Sequence, residues 1–341
     1  MTKKEIVIDL LKEKTRTRSP VMPITMMFAA DQTGSPYVEY AKDYRVLVEA
    51  QMATAEKFGF DHVSVISDPA REAADFGAMI HYFPDQPPAV DESNAFFTDK
   101  KRLAGLKLPD PLAGGRMHDR IQGVALFKQK TGDNILIEGW LEGPCAEAAD
   151  LRGINNIMTD FFDDPGFITD LFELVVANAV NFAKYQIEAG ADIIGVGDAA
   201  ASLVGPQIYE EFVYPYEKRL IDQIHAMGGM VRLHICGNIA DSLVQIGKLG
   251  AEIVDVDSMV TMKHARKKTG INQVLLGNVN PVTVVKNGTP DLIYAALQQC
   301  ADEAGPNYIV GAGCEIPRGT SDENVKTFAK FAHHEKNTRY N

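Results

Sequence analysis

Cysteine is scarce in this chain: Cys145, Cys236, Cys300 and Cys314 are the four in 341 residues, and no two form a CxxC pair. That excludes a disulfide scaffold and a zinc finger built from close-set ligands. Positive charge is also short. The formal net charge is −12, and no basic stripe stands out, which argues against a nucleic-acid partner. No basic start leads into an apolar signal segment, and no run of about 18 apolar residues appears. The expectation is a reduced, cytoplasmic protein with no membrane contact. No GxGxxG turn follows the first apolar run, which weakens a dinucleotide-binding reading.

What is present is a long alternation of apolar runs and amphipathic stretches. Apolar runs read as buried strands at 21–27, 62–67, 134–143, 192–198, 230–237, 252–258, 273–279 and 308–314. A helical start covers about 2–14, a long amphipathic helix 37–60, and helices follow the later strands. Residues 68–115 are rich in Pro, Gly and Asp and read as an insertion of loops and short strands after the second strand. Eight apolar strands alternating with helices predict an α/β fold of the (β/α)8 TIM-barrel type, one domain over 1–341. A doubly wound open sheet is the competitor.

In such a barrel the chemistry lies where strands end. His234 and Cys236 stand two apart in "MVRLHICG", so they share one face of a strand. Cys314 ends the last strand, in "YIVGAGCEIP". One imidazole and two thiolates with an open fourth position is the pattern of a catalytic zinc site. Asp198, Asp257 and Asn278 also fall at strand ends and are candidate catalytic residues. Each has a plainer reading. A cysteine at a strand end is commonly a small buried hydrophobe, as expected for Cys145 and Cys300. A strand-end carboxylate often caps a helix. Three ligand types converging at matching places is what favours the metal.

These motifs carry a resemblance. "HICGN" with the distal "GAGCEIP", "GNVNP" after the seventh strand and "EGPCAEAADLRG" after the third resemble the uroporphyrinogen decarboxylase superfamily. Within it they are most similar to the zinc-dependent methylcobamide:coenzyme M methyltransferases. The resemblance runs over most of the chain and implies an (α/β)8 barrel, with His234, Cys236 and Cys314 as zinc ligands. The chain departs from true uroporphyrinogen decarboxylases. Their arginine-rich "RQAGRY" segment is matched here by a stretch with no arginine between Arg18 and Arg45. An octacarboxylate substrate needs cationic partners, so decarboxylation is not expected.

The resemblance implies transfer of a methyl group between a methylated corrinoid (cobalamin), carried by a separate corrinoid protein, and a thiol. Zinc deprotonates a bound thiol, and the thiolate is the nucleophile. The reverse use, moving a methyl group from a methoxylated or N-methylated compound onto the corrinoid protein, fits the same motifs. A zinc hydrolase and a non-catalytic tetrapyrrole- or corrinoid-binding protein are the remaining alternatives.

Overall fold

The computed structural model describes residues 1–12 and 17–339. Among them lie nine strands: β1 (His62–Ser64), β2 (Ile80–Phe83), β3 (Gln86–Val90), β4 (Leu136–Glu142), β5 (Ile193–Gly197), β6 (Met230–His234), β7 (Ile253–Val256), β8 (Val274–Val279) and β9 (Tyr308–Ala312). Seven of them form one parallel sheet in the order β1-β4-β5-β6-β7-β8-β9, and β2 and β3 form a separate antiparallel hairpin. Sequential parallel neighbours joined through helices are the wiring of a (β/α) barrel.

The expected first strand is much reduced. Only Val21 bridges, in parallel, to Val310. Its carbonyl accepts from the Asp61 amide at 2.9 Å, while the Val310 amide donates to the Pro20 carbonyl at 2.8 Å. Residues 20–22 therefore occupy the eighth place, between β9 and β1. The run cannot continue as a ladder because Pro23 has no N–H to donate. The chain turns instead into a helix over Met27–Thr33. The helix expected over 37–60 is two, Tyr37–Lys42 and Tyr44–Phe58. They break at Asp43, whose backbone is extended and whose carboxylate caps the second by accepting from the Arg45 amide. The helical start is Lys3–Leu11; residues 13 and 14 of that expectation lie outside the described residues. Within 68–115 the chain forms the β2–β3 hairpin, the helix Arg71–Phe76 and two short 3-10 turns.

The bottom of the barrel is plugged. Val7 and Leu10 of the first helix pack with Leu136, Ile193, Ile253 and Val274, which start β4, β5, β7 and β8. Each such buried aliphatic contributes about 1.5–3 kcal/mol. The longest helix, Pro165–Ala189, is long and apolar enough by length and composition to cross a membrane. Here its apolar side, including Phe172, Val176 and Phe182, is buried and the helix packs on β4. With the strand starts sealed, the strand ends are left to form the mouth.

Candidate metal centre

β6 ends at His234, and Cys236 lies two residues beyond. Cys314 follows the end of β9 by the same step. Ligand atoms of the three residues all lie within 4.8 Å of one another. The two Sγ atoms are 3.7 Å apart, and Cys314 Sγ stands 3.9 Å from His234 Nε2. Two sulfurs bound tetrahedrally to zinc at about 2.3 Å would stand about 3.8 Å apart. The donor set and the spacing therefore both fit zinc.

The histidine is aimed from behind. Its Nδ1 lies 3.1 Å from Asp255 Oδ2, which leaves Nε2 for the thiols. Asp255 is in turn gripped by Arg232, with contacts of 2.9, 3.1 and 2.8 Å. Arg232 also reaches Glu138 at 3.2 Å. Burial opposes a charge on His234, but its hydrogen bonds with Asp255, which accepts from the ring, and with Cys314 outweigh it and hold the imidazole up to about 10. Burial likewise opposes the charge of Asp255, and the Arg232 guanidinium overcomes it and holds the carboxyl below its usual value. The Cys236 thiol is lowered, chiefly by its hydrogen bond with Cys314. Cys314 is pushed up by that same contact and by burial.

A cavity of about 190 Å³ opens on the triad, walled by Trp140, Glu142, Asp68, Arg71 and Glu315 among others. Trp140, the single tryptophan of the chain, lies across β5 because that strand offers glycines. A Cβ on Gly195 would stand 2.2 Å from the indole ring. Glu315 accepts from the Met26 and Met27 amides at 3.1 and 2.8 Å, and burial pushes it up to about 7.

The three candidate catalytic residues occupy different situations. Asp257 borders the triad: its Oδ2 is 3.6 Å from Cys236 Sγ and accepts from the Gly237 amide at 3.0 Å. It fixes the loop that presents Cys236. Asp198 is fully buried and accepts from the Ala146 and Cys145 amides at 2.6 and 3.3 Å. It thereby caps the helix Pro144–Arg152, and burial pushes it up to about 6. A Cβ on Gly143 would stand 2.5 Å from the Asp198 side chain, so this close seat requires glycine. Asn278 donates to the carbonyls of Asp257, at 3.2 Å, and Val260, and its Oδ1 faces Cys300 Sγ at 3.3 Å. It ties the loop after β7 to β8.

Sequence reasoning passed over Arg232, Asp255, Glu138, Glu142 and Arg71. A signal was available for most of them. Arg232 is two residues before His234 on the same strand face, and Asp255 is two before Asp257. Glu138, Trp140 and Glu142 repeat at the same period in β4. Arg71 had no such signal, because it comes from the helix inside the insertion.

The family described as uroporphyrinogen decarboxylase (URO-D) matches residues 2–335. The chain belongs to that family. It is 28% identical to the "Methylcobamide:CoM methyltransferase MtbA" of Methanosarcina mazei, over 99% of both chains. It is 30% identical to a uroporphyrinogen decarboxylase of Picosynechococcus, over 59% of each. A solved "methyltransferase from Methanosarcina mazei" superposes with a TM-score of 0.89, covering 98% of this chain and 99% of the other at 22% identity. That likeness shows the α/β barrel fold. Over its whole length the chain is thus similar to corrinoid-dependent methyltransferases, which are enzymes.

Proposed function

We propose that this protein is a zinc-dependent methyltransferase that joins a methyl group from a corrinoid, carried on a separate protein, to a small thiol, or runs that transfer in reverse. The observation that carries the reading is the convergence of His234, Cys236 and Cys314 at a barrel mouth, with the two sulfurs 3.7 Å apart. Full-length similarity to methylcobamide:CoM methyltransferases supports the same chemistry. His234, Cys236 and Cys314 would hold the metal, and zinc bound there supplies a site at which a substrate thiol is kept as thiolate.

The chain's own residues prepare that site. Asp255 fixes the imidazole tautomer, and Arg232 fixes Asp255. Asp257 sets the Cys236 loop through the Gly237 amide. Trp140 and Ile24 give the cavity apolar walls that limit water around the reacting sulfur. Thiol chemistry of this kind suits the reducing cytoplasm and a place in one-carbon metabolism.

Decarboxylation of a porphyrinogen is disfavoured by the cavity. Its arginine, Arg71, is already held by Glu142 at 2.8 Å and Glu72 at 3.5 Å, and neighbouring Arg116 by Asp68 at 2.6 Å. Among the described residues lining the cavity, no cation remains for a polycarboxylate.

The test is zinc content followed by turnover. Wild type should hold about one zinc per chain, and Cys236→Ser should hold much less. The loaded protein should then demethylate methylcobalamin with thiols. Zinc-free wild type after careful preparation, or full turnover by Cys236→Ser, would sink the reading.

A further inference from the structure

A second cavity, of about 370 Å³, adjoins the first. The two share Pro69, Glu142, Ala199 and Cys236 in their walls, so both open around the same carboxylate. The second also has Asp150 and Glu92 in its wall. Behind them stand Glu72 and Glu147, both buried. The helix Pro144–Arg152 sets Glu147 and Asp150 three residues apart, and hence on one side.

This wall carries more carboxyl groups than its cations can pair. Asp68, Glu72, Glu142, Glu147 and Asp150 gather around the guanidinium of Arg71, and Arg116 reaches Asp68 alone among them. Arg116 is committed to Asp68, and Arg71 to Glu142 and Glu72. Both oxygens of Glu147 and Asp150 Oδ2 have no hydrogen-bond partner. Glu142 is 7% exposed, and its Oε1 takes Arg71 at 2.8 Å. Its Oε2 lies instead toward the cavity over Gly197, 3.3 Å from where a Cβ would be. Buried polar groups are normally paired, and of these residues Asp150 stands in the cavity wall with an oxygen left over. Burial pushes Glu142 up to about 8, and Glu147 and Asp150 well above the usual carboxylate range. A fixed positive charge beside them would reverse that cost.

We propose that this acidic wall binds a positively charged head, an alkylammonium, on the small methyl acceptor or donor whose sulfur end reaches Cys236 and Cys314. Glu142, shared by both cavities, would take the head first, and Asp150 would complete the contact. An anionic head would find neither arginine of this wall free, since Arg116 is held by Asp68 and Arg71 by Glu142 and Glu72. The proposal rests on the methyl-transfer reading only for the identity of the ligand's other end.

Trp140 is a built-in reporter, since it is the single tryptophan and lines the shared cavity. The experiment titrates its fluorescence in the purified protein with three thioethers of equal length: S-methylcysteamine, methylthioethanol and methylthioethanesulfonate. None needs turnover to be seen. The ammonium compound should bind about tenfold tighter than the alcohol, as charge-assisted hydrogen bonds do, and the sulfonate weakest. Asp150→Asn and Glu142→Gln should each cut the ammonium-to-alcohol ratio severalfold, with alcohol binding as the internal check on folding. Equal binding of all three, a preference for the sulfonate, or a ratio unmoved by both variants would overturn the proposal. The two readings fail separately. An ammonium preference without methyl transfer would remove only the reaction. Transfer that runs fastest with coenzyme M and slowest with cysteamine would remove only the charge assignment.

Discussion

Two buried charge networks border the same barrel mouth. Beneath the triad, Arg232 stands between Glu138 and Asp255, and His234 closes on Asp255. Asp255 is held low, and Arg232 is raised above its usual value by the two carboxylates. Beside the cavity, five carboxyl groups face two arginines, and Glu142 is pushed up to about 8. Both networks are largely buried, so the difference is one of pairing more than of burial. A buried charge that is paired orients its neighbours; one left without a partner keeps a free energy that a ligand can recover. The first network holds a histidine in place, and the second is the part of the wall left to meet something else.

The largest expected effect is loss of Arg232. Arg232→Met would leave Glu138 and Asp255 without the guanidinium between them, and should cost about 3–5 kcal/mol in urea unfolding. Arg71→Met should cost clearly less, because burial already favours the neutral form of its neighbours. Equal costs for the two variants would erase the distinction. Next is Asp255→Asn. The triad would keep its three ligands but lose the partner that fixes the imidazole, and zinc affinity should fall about 10–100-fold in competition with a chelator. Unchanged affinity would mean that the packing around His234 aims it unaided.

Much of this was legible in the chain, and the exceptions have physical causes. The strand ends were readable because apolar runs stop at polar residues, and His234, Cys236 and Cys314 fell at three such stops. The supporting layer was hidden one step further in. Arg232 and Asp255 sit inside runs that otherwise read as buried apolar strand, where a charge is tolerated only because its partner lies on the neighbouring strand. The register places His234 beside Asp255, and register between strands is not written in either strand alone. The first strand misled for a different reason. "VMPITMM" is apolar throughout, but its proline ends the ladder after Val21, and Glu315, far along the chain, accepts from the Met26 and Met27 amides where the helix begins. Arg71 was invisible because the insertion reads as loops, and nothing local says that one of its helices faces the mouth.

The networks should also respond to pH with opposite slopes. Glu142 has a folded value of about 8 against an unfolded 4.5, so the folded state binds its proton more tightly. Its stabilising contribution is complete below about pH 4.5 and is lost as pH rises through about 8. Asp255 has a depressed folded value, so its contribution is present above the unfolded value and is lost as pH falls. Glu142→Gln should therefore shrink the stability lost between pH 5 and pH 9 in urea unfolding. A variant that loses as much as wild type over that range would show that the carboxyl is already ionised in the folded protein.

The smallest expected effect tests whether charge, rather than hydrogen bonding in general, separates the two networks. Ser64 is buried, its hydroxyl bonds to Glu138, and it accepts from the Ile66 amide at 3.2 Å. Ser67 is its counterpart on the acidic side, donating to Asp68 at 2.7 Å. Each hydroxyl is neutral, and each carboxylate it serves also has an arginine. Ser64→Ala and Ser67→Ala should each cost about 1 kcal/mol in urea unfolding, with no systematic difference between them. Matching losses would locate the contrast in the unpaired carboxyl groups alone. A Ser64→Ala loss approaching that of Arg232→Met would mean that Glu138 depends on its neutral donor, and the network beneath the triad would no longer count as balanced by charge.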